Sequence, residues 1–264
     1  MSEHKVALII STYNQIEYLD RVLRAVDRQT SPPDEVILAD DGSGPDAEKL
    51  FARWSKTRPG LTAHAWQEHD GFRKARILNL AIARTTADYL VFLDGDTVPH
   101  PRFVEDHRNA ALAGFFVQGH RALIEQRAAS WFGLGDFSSD LRRALLSGQL
   151  KGWKHAFRWP FPLAKTRKDL RGIRGCNLGV WRHDLVEVNG YNEAFVGWGR
   201  EDSELAVRLM NLGRSRLDLR GRSLCYHLWH PPAPRNRLDE NDRLLREAEA
   251  SKSTRCPQGL DQHL

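Results

Sequence analysis

From residue 5 to residue 96, short apolar runs alternate with stretches of helical period, and that rhythm leaves few folds open. "KVALIIS" reads as a strand, and "IEYLDRVLRAVDRQ" as an amphipathic helix with Leu19, Val22, Leu23 and Val26 on one face. "DEVILADDGS" is a second strand that runs into a turn of Asp, Gly and Ser, and "DAEKLFARWSKT" a second helix. "LTAHAWQE", "RKARILNLAIART" and "DYLVFLDGD" continue as strand, helix, strand. Apolar strands alternating with helices predict a parallel sheet covered on both faces. Ligands of such open sheets sit beyond the carboxyl ends of the strands. Three segments place polar residues there: Ser11, Thr12 and Asn14; Asp40, Asp41 and Ser43; Asp94 and Asp96. They are expected to converge on one crevice.

From about residue 120 the rhythm breaks. Residues 129–172 mix aromatic and basic residues with Gly and Pro, and only Leu141 to Leu146 carry a helical pattern. This segment reads as a mobile, loop-rich insertion. Order returns with "IRGCNLGVWRHDLVEVNGYNE", a helix "EDSELAVRLMNLG" stopped by Gly213, and one strand ending in "SLCYHLWHPP". The polar tail carries a helix over Glu240 to Ala250. The expected organisation is one α/β domain with a first half at 1–118, a second half with the insertion at 119–235, and a tail at 236–264.

Bulk composition narrows the class. With 264 residues, 41% hydrophobic and 28% charged, the chain fits a soluble globular protein rather than a disordered one. No stretch approaches the roughly 18 consecutive apolar residues of a membrane span. Val6 to Ile10 reads as a first strand, because no small-residue cleavage site follows it. Cys176, Cys225 and Cys256 show no CxxC spacing, which disfavours a disulfide scaffold or zinc knuckle and points to a reducing cytoplasm. The net charge of +5 is unevenly placed: between Arg142 and Arg182 stand eleven Lys and Arg residues, against Asp169 as the sole acid. Such a patch suits an anionic partner.

Asp94 and Asp96 carry the most specific chemistry of the first half. Two carboxylates one residue apart are unfavourable unless a cation or protons compensate. Hard oxygen ligands on a short loop suit Mg²⁺ or Mn²⁺, which take phosphate oxygens as further ligands. A solvated turn is the plain alternative for any one Asp-Gly pair, and a helix cap or Asx-turn for Asp40 and Asp41. In combination, however, "ISTYN", "ADDGS" and "FLDGD" resemble the nucleotide-sugar-binding half of family 2 glycosyltransferases of GT-A fold. The resemblance covers roughly residues 5 to 110. It implies a mostly parallel Rossmann-like sheet with helices on both faces. It further implies that Thr12, Tyr13 and Asn14 hold the nucleoside, with Asp41 accepting from the base. Asp94 and Gly95 would face sugar or ribose, and Asp96, with Asp94, a metal. "GFRKARILNLAI" is similar to a stretch of the galactosyltransferase branch, which implies Lys74 and Arg76 near the diphosphate. Phe72 can stack on a base or ribose, while Asn79 is expected to tie its helix to a neighbouring loop.

"VGWGREDSELAVRL" decides the reaction class. Acidic residues in a first helical turn are commonly dipole partners. That does not explain the preceding Gly-Trp-Gly, a flexible turn presenting a flat ring on which a sugar face can stack. The stretch resembles the W-G-x-E-D signature of galactosyltransferase-like regions. By that likeness Asp202 is the general base, Glu201 orients the acceptor hydroxyl and Trp198 is the sugar platform. General base catalysis typically contributes about a hundred- to ten-thousand-fold. No nucleophile for a double displacement is evident, so inversion is expected. His227 and His230, spaced i, i+3 at a strand end, can turn imidazoles to a metal, and the related galactosyltransferases carry a ligand pair at this spacing.

The implied activity is transfer of a sugar from a nucleotide-diphosphate donor, UDP-hexose or UDP-N-acetylhexosamine, to a glycan or lipid-linked glycan with Mn²⁺ or Mg²⁺. Lipopolysaccharide or other cell-surface polysaccharide synthesis is the implied setting. The aromatic, basic insertion reads as an ordinary loop packing its aromatics on the domain, as an acceptor lid, or as a patch giving peripheral contact with the anionic cytoplasmic face of a membrane. No nucleic-acid partner is expected. Two rivals stand beside this reading: a nucleotidyltransferase, which lacks a Gly-rich triphosphate loop here, and a glycan- or nucleic-acid-binding protein on an inactive scaffold.

Overall fold

The computed structural model describes residues 4–58, 60–161 and 163–264. In chain order its first half comprises β1 (Val6–Thr12), α1 (Ile16–Asp27), β2 (Glu35–Asp40), α2 (Pro45–Ser55), β3 (Leu61–Trp66), α3 (Lys74–Ile82), β4 (Tyr89–Asp94), β5 (Thr97–Pro99), α4 (Phe103–Ala110) and β6 (Phe115–Gln118). The second half adds β7 (His120–Ile124), α5 (Gln126–Ala129), α6 (Phe137–Leu146), β8 (Leu150–Lys151), β9 (Leu163–Arg167), β10 (Leu178–Trp181) and α7 (Arg182–Glu187). It ends with α8 (Glu201–Asn211), β11 (Ser215–Arg220), β12 (Leu224–Leu228) and α9 (Leu238–Ser251).

The main sheet runs β3-β2-β1-β4-β10-β6-β11-β9. Its first four strands are parallel, β10 enters antiparallel between β4 and β6, and β11 lies parallel to β6. The period of two in a strand sends alternate residues to opposite faces. Ala7 and Ile9 pack under α3 and α8, whereas Val6, Leu8 and Ile10 pack under α1, α2 and α4. Hence the apolar runs read as continuous: both faces are covered. Ser11 stands level with Asp94, and Thr12 with Asp40, so the polar strand ends expected to converge are neighbours by register.

Four features differ from the sequence reading. A second sheet, β5-β12-β7-β8, caps a satellite core of Val98, Ile124, Phe132, Leu141 and Tyr226. Its strands are two to five residues long, too short for a period of two to stand out. The single strand expected before His227 is therefore two, β11 and β12, broken by the turn at Gly221 to Ser223, where Gly221 and Ser223 have positive φ. The insertion also holds more regular structure than expected. Asp136 caps α6 by accepting from Ser139 N at 2.9 Å, and β9 joins the main sheet as its edge. Finally, the segment read as a polar tail returns to the core, where Leu260 is buried beside α3.

Candidate active site

The turns after β1, β2 and β4 are bound to one another. Ser11 Oγ donates to Asp94 Oδ1 at 2.8 Å, Gly95 N to Ser11 O at 2.7 Å, and Asp41 N to Thr12 O at 3.0 Å. Asn14, at positive φ, takes the amide of Gly44 on its side chain and gives its own amide to Ser43 Oγ. Gly95 sits close against β1: a Cβ there would stand 3.0 Å from Thr12 Oγ1 and 3.1 Å from Ser11 O, a tight fit.

Asp40 and Asp41 part company. Asp40 is fully buried and structural, accepting from Ser43 N at 2.8 Å and facing His64 Nε2 at 3.1 Å, which is the Asx-turn alternative. Asp41 accepts from Gln67 Nε2 at 2.5 Å and from Arg73 N at 2.9 Å, and burial raises its pKa against those donors. Tyr13 stacks on His69 with centroids 4.2 Å apart and planes 10° apart, giving the mouth of this turn an aromatic rim. His69 and Gln67 were not singled out from the sequence. They follow β3, and the rule applied to the other three strand ends, polar residues beyond the carboxyl terminus, would have found them.

Lys74, at the start of α3, places Nζ 2.6 Å from Asp94 Oδ1. Burial alone would lower its pKa, but the charges of Asp94, Asp202 and Glu201 outweigh it and hold the ammonium above the ordinary lysine range. Arg76 donates instead to Gln67 Oε1 at 2.7 Å, with Glu193 at 3.9 Å. Phe72 contributes its carbonyl, which accepts from Gly197 N at 2.8 Å and so ties this helix start to the Trp198 loop. Asn79 does link α3 to a loop, donating to Tyr191 O and Glu193 and accepting from Tyr191 N.

Asp94 and Asp96 do not face each other. Asp96 turns toward His227 Nε2 at 3.7 Å and His230 Nε2 at 3.1 Å, and Thr97 Oγ1 donates to it at 3.0 Å. Strand pairing builds this corner, since β12 lies beside β5 and Leu228 N donates to Asp96 O. Burial lowers the His227 pKa, while the hydrogen bond to Asp96 raises that of His230. The donor atoms of Asp96, His227 and His230 all lie within 4.8 Å of one another. Asp94, expected in the same ligand set, is outside it: the Lys74 ammonium and the Ser11 hydroxyl take its carboxylate. One carboxylate and two imidazoles form a set that could hold a divalent metal ion.

Glu201 and Asp202 open α8 after a loop whose Gly197, Gly199 and Arg200 all have positive φ. Asp202 Oδ2 accepts from Gly175 N at 2.7 Å, and Oδ1 is buried without a partner, as is Glu201 Oε2. A Cβ on Gly175 would fall 2.3 Å from Asp202 Oδ1, so only glycine fits against that carboxylate. Burial, with the charge of Asp202 adding, pushes the Glu201 carboxyl up to about 8. Burial also raises Asp202, but Lys74 pulls it back and Gly175 N–H stabilises its charged form. At neutral pH the raised Glu201 carboxyl therefore holds its proton, which relieves its repulsion with Asp202. Trp198 is 40% exposed, and the Arg235 guanidinium sits 4.6 Å from its ring centroid. Arg121 also borders the centre: its charge acts on Asp202 and His227, and Nη1 lies 3.5 Å from Cys176 Sγ. It has no carboxylate partner among the described residues. Arg121 was missed because it lies inside a strand with no motif around it.

The profile of "N-terminal domain of galactosyltransferase" matches residues 157–228, the stretch that carries Trp198, Glu201, Asp202 and His227. Validoxylamine A glucosyltransferase of Streptomyces hygroscopicus subsp. limoneus is 27% identical over 226 residues, covering 77% of this chain and 47% of its own length. Chondroitin synthase of Escherichia coli is 24% identical over 253 residues, covering 89% of this chain and 36% of its own length. The chain thus spans half or less of these two relatives. Among solved structures, mannosyltransferase PcManGT from Pyrobaculum calidifontis, in complex with GDP-Man and Mn2+, superposes with a TM-score of 0.59 at 18% identity, over 96% of this chain and 74% of that one. S. aureus TarS gives 0.64 at 14% identity, over 94% and 41%. These likenesses show the fold, which is GT-A-like. The profile of "Glycosyl transferase family 2" matches residues 7–170, more than half of the sequence, and this chain belongs to that family.

Proposed function

We propose that the protein transfers a sugar from a nucleotide-diphosphate donor to a glycan hydroxyl, with inversion at the anomeric carbon and with a divalent metal ion bound. The observation that carries this reading is the meeting of two centres across Asp94. Its charge acts on His227 and His230 on one side and on Glu201 and Asp202 on the other.

Residues 1–118 form the donor half in this reading. Thr12, Tyr13 and Asn14 line the nucleoside with Asp41, and the Tyr13–His69 stack extends the aromatic floor. Asp96, His227 and His230 would hold the metal, which when bound offsets the charge of the leaving diphosphate. Arg121 is the better placed cation for that diphosphate, since Lys74 and Arg76 already have protein partners. Lys74 pairs with Asp94 and holds it beneath the donor sugar. Residues 119–235 form the acceptor half. Trp198 stacks on the acceptor sugar once Arg235 is displaced from its ring. Asp202 takes the acceptor hydroxyl proton as oxygen attacks the anomeric carbon opposite the diphosphate. Protonated Glu201 donates a hydrogen bond that aims the hydroxyl. In this reading inversion follows from a single displacement with Asp202 as the base, while Asp94, held by Lys74 and Ser11, stays a fixed anion and does not attack. UDP-hexose or UDP-N-acetylhexosamine is the proposed donor class and a cell-surface polysaccharide or its lipid-linked precursor the acceptor. The solved relative with GDP-Man and Mn2+, together with the glucosyltransferase and chondroitin synthase likenesses, supports sugar nucleotide and metal.

Asp202→Asn tests the reading. Donor binding, followed by thermal shift with UDP-sugars and Mn²⁺, should stay within twofold, while transfer should fall by about a hundredfold or more. Undiminished transfer would remove Asp202 as the base.

A further inference from the structure

The insertion between α6 and β10 carries apolar side chains into solvent on a fixed base. Phe161 is 79% exposed and Trp153 60%, and Phe157, Trp159 and Leu163 are each more than a third exposed. These side chains do not hang on slack chain. Trp159 N donates to Gly221 O at 3.0 Å, Arg222 Nη2 to Pro160 O at 2.6 Å, and Arg158 pairs with Asp106 at 2.8 Å. β9 is hydrogen-bonded along β11, leaving its other edge open. A scaffold that holds aromatic rings out in water forgoes their burial, which argues for a partner that supplies the apolar contact.

Charge identifies that partner. Lys154, Lys165 and Lys168 are exposed and have no carboxylate partner among the described residues. The only acid between Leu141 and His183 is Asp169, already shared by Arg167 and Arg171. Exposed Trp and Phe set among unpaired lysines match the boundary between acyl chains and anionic headgroups. Phe and Leu protruding without a groove or a row of stacking slots do not match a nucleic-acid strand. No helix among the described residues is long and apolar enough to cross a membrane.

We infer that residues 153–161 and 163–168 form a peripheral docking surface for an anionic lipid bilayer, with Trp153 and Phe161 entering the interface and Lys154, Lys165 and Lys168 on the headgroups. The segment leads directly to Gly175, whose amide holds Asp202, so docking brings the acceptor half close to the bilayer. This goes beyond the proposed chemistry and does not depend on it, because the test reads no sugar transfer.

The test is flotation of the full chain with vesicles of phosphatidylcholine alone or with an equal part of phosphatidylglycerol, at low and high salt. Binding is expected only to the anionic vesicles and should weaken with salt. Lys154→Gln/Lys165→Gln/Lys168→Gln should lower the partition coefficient on the order of a hundredfold, about fivefold per lysine. Trp153→Ser/Phe161→Ser should lower it about tenfold. Thermal unfolding of both variants should match the unaltered protein, since every altered side chain is exposed. Equal binding to both vesicle types, no vesicle binding, or binding indifferent to either set of substitutions would overturn the inference. So would capture of RNA or an anionic polysaccharide by this patch without vesicle binding.

Discussion

Replacing Lys74 with Met probes the electrostatic centre directly. Its ammonium lies 2.6 Å from Asp94 and is the cation that acts on Glu201 and Asp202 as well. Without it, three carboxyls share one enclosed site. Removing one partner of a fully buried ion pair costs about 3–5 kcal/mol. The two side chains here are 15% and 23% exposed, so solvent screening reduces the expected loss to roughly 2–3 kcal/mol. At about 2–4 °C per kcal/mol for a chain near this size, the melting temperature should fall by roughly 4–12 °C at pH 8. The pH dependence then separates charge from packing. The folded-state pKa of Lys74 is raised, so its contribution is full below the ordinary lysine pKa and is lost only as pH rises through the folded value. Lys74 therefore stays charged from pH 5 to 8, so the change in the variant's deficit across that window reports on the carboxyls on which Lys74 acts. In Lys74→Met they should take up protons as pH falls, shrinking the deficit at pH 5 to a fraction of that at pH 8. Differential scanning fluorimetry at both pH values measures this. An equal deficit at the two pH values, or none at pH 8, would refute the reasoning.

Glu201→Gln should flatten the stability profile. The folded pKa of Glu201 is raised to about 8, so its neutral form stabilises fully below pH ~4.5 and that contribution is lost as pH climbs toward 8. Urea titrations should therefore show the variant gaining on the unaltered protein by a few kcal/mol between pH 5 and 8; parallel profiles would contradict the assignment. Gly175→Ala places a methyl 2.3 Å from Asp202 Oδ1. It should lower kcat by about ten- to a hundredfold with donor affinity unchanged, as expected for a displaced base. Arg121→Met should weaken UDP binding by about tenfold while leaving UDP-free stability within about 1 kcal/mol, since the side chain has no carboxylate partner among the described residues.

Much of this arrangement is legible in the residues themselves. β1, β2 and β4 announce themselves as uninterrupted apolar runs, because both faces of a parallel sheet are buried. Their polar ends then mark the crevice without further information, as Ser11 against Asp94 and Thr12 against Asp40 show. Side-chain direction was not legible in the same way. Asp94 and Asp96 look like one ligand pair in sequence, but β5 turns Asp96 toward β12 while Lys74 arrives from α3 to claim Asp94. Long-range partners decide those directions, and spacing holds no record of them. Arg121 and Gly175 illustrate the same limit, since each reaches the centre through strand pairing or backbone closeness rather than through a local pattern. The small sheet escaped because strands as short as Leu150–Lys151 carry too few residues for a period to register.

The most direct measurement is Mn²⁺ binding by electron paramagnetic resonance, with and without UDP, in the unaltered protein and in Asp96→Ala and His230→Ala. One Mn²⁺ site that tightens with UDP, and that weakens at least tenfold in each variant, is the predicted result. Variants that bind Mn²⁺ as the unaltered protein does, or sugar transfer that persists at full rate after chelation, would contradict the account.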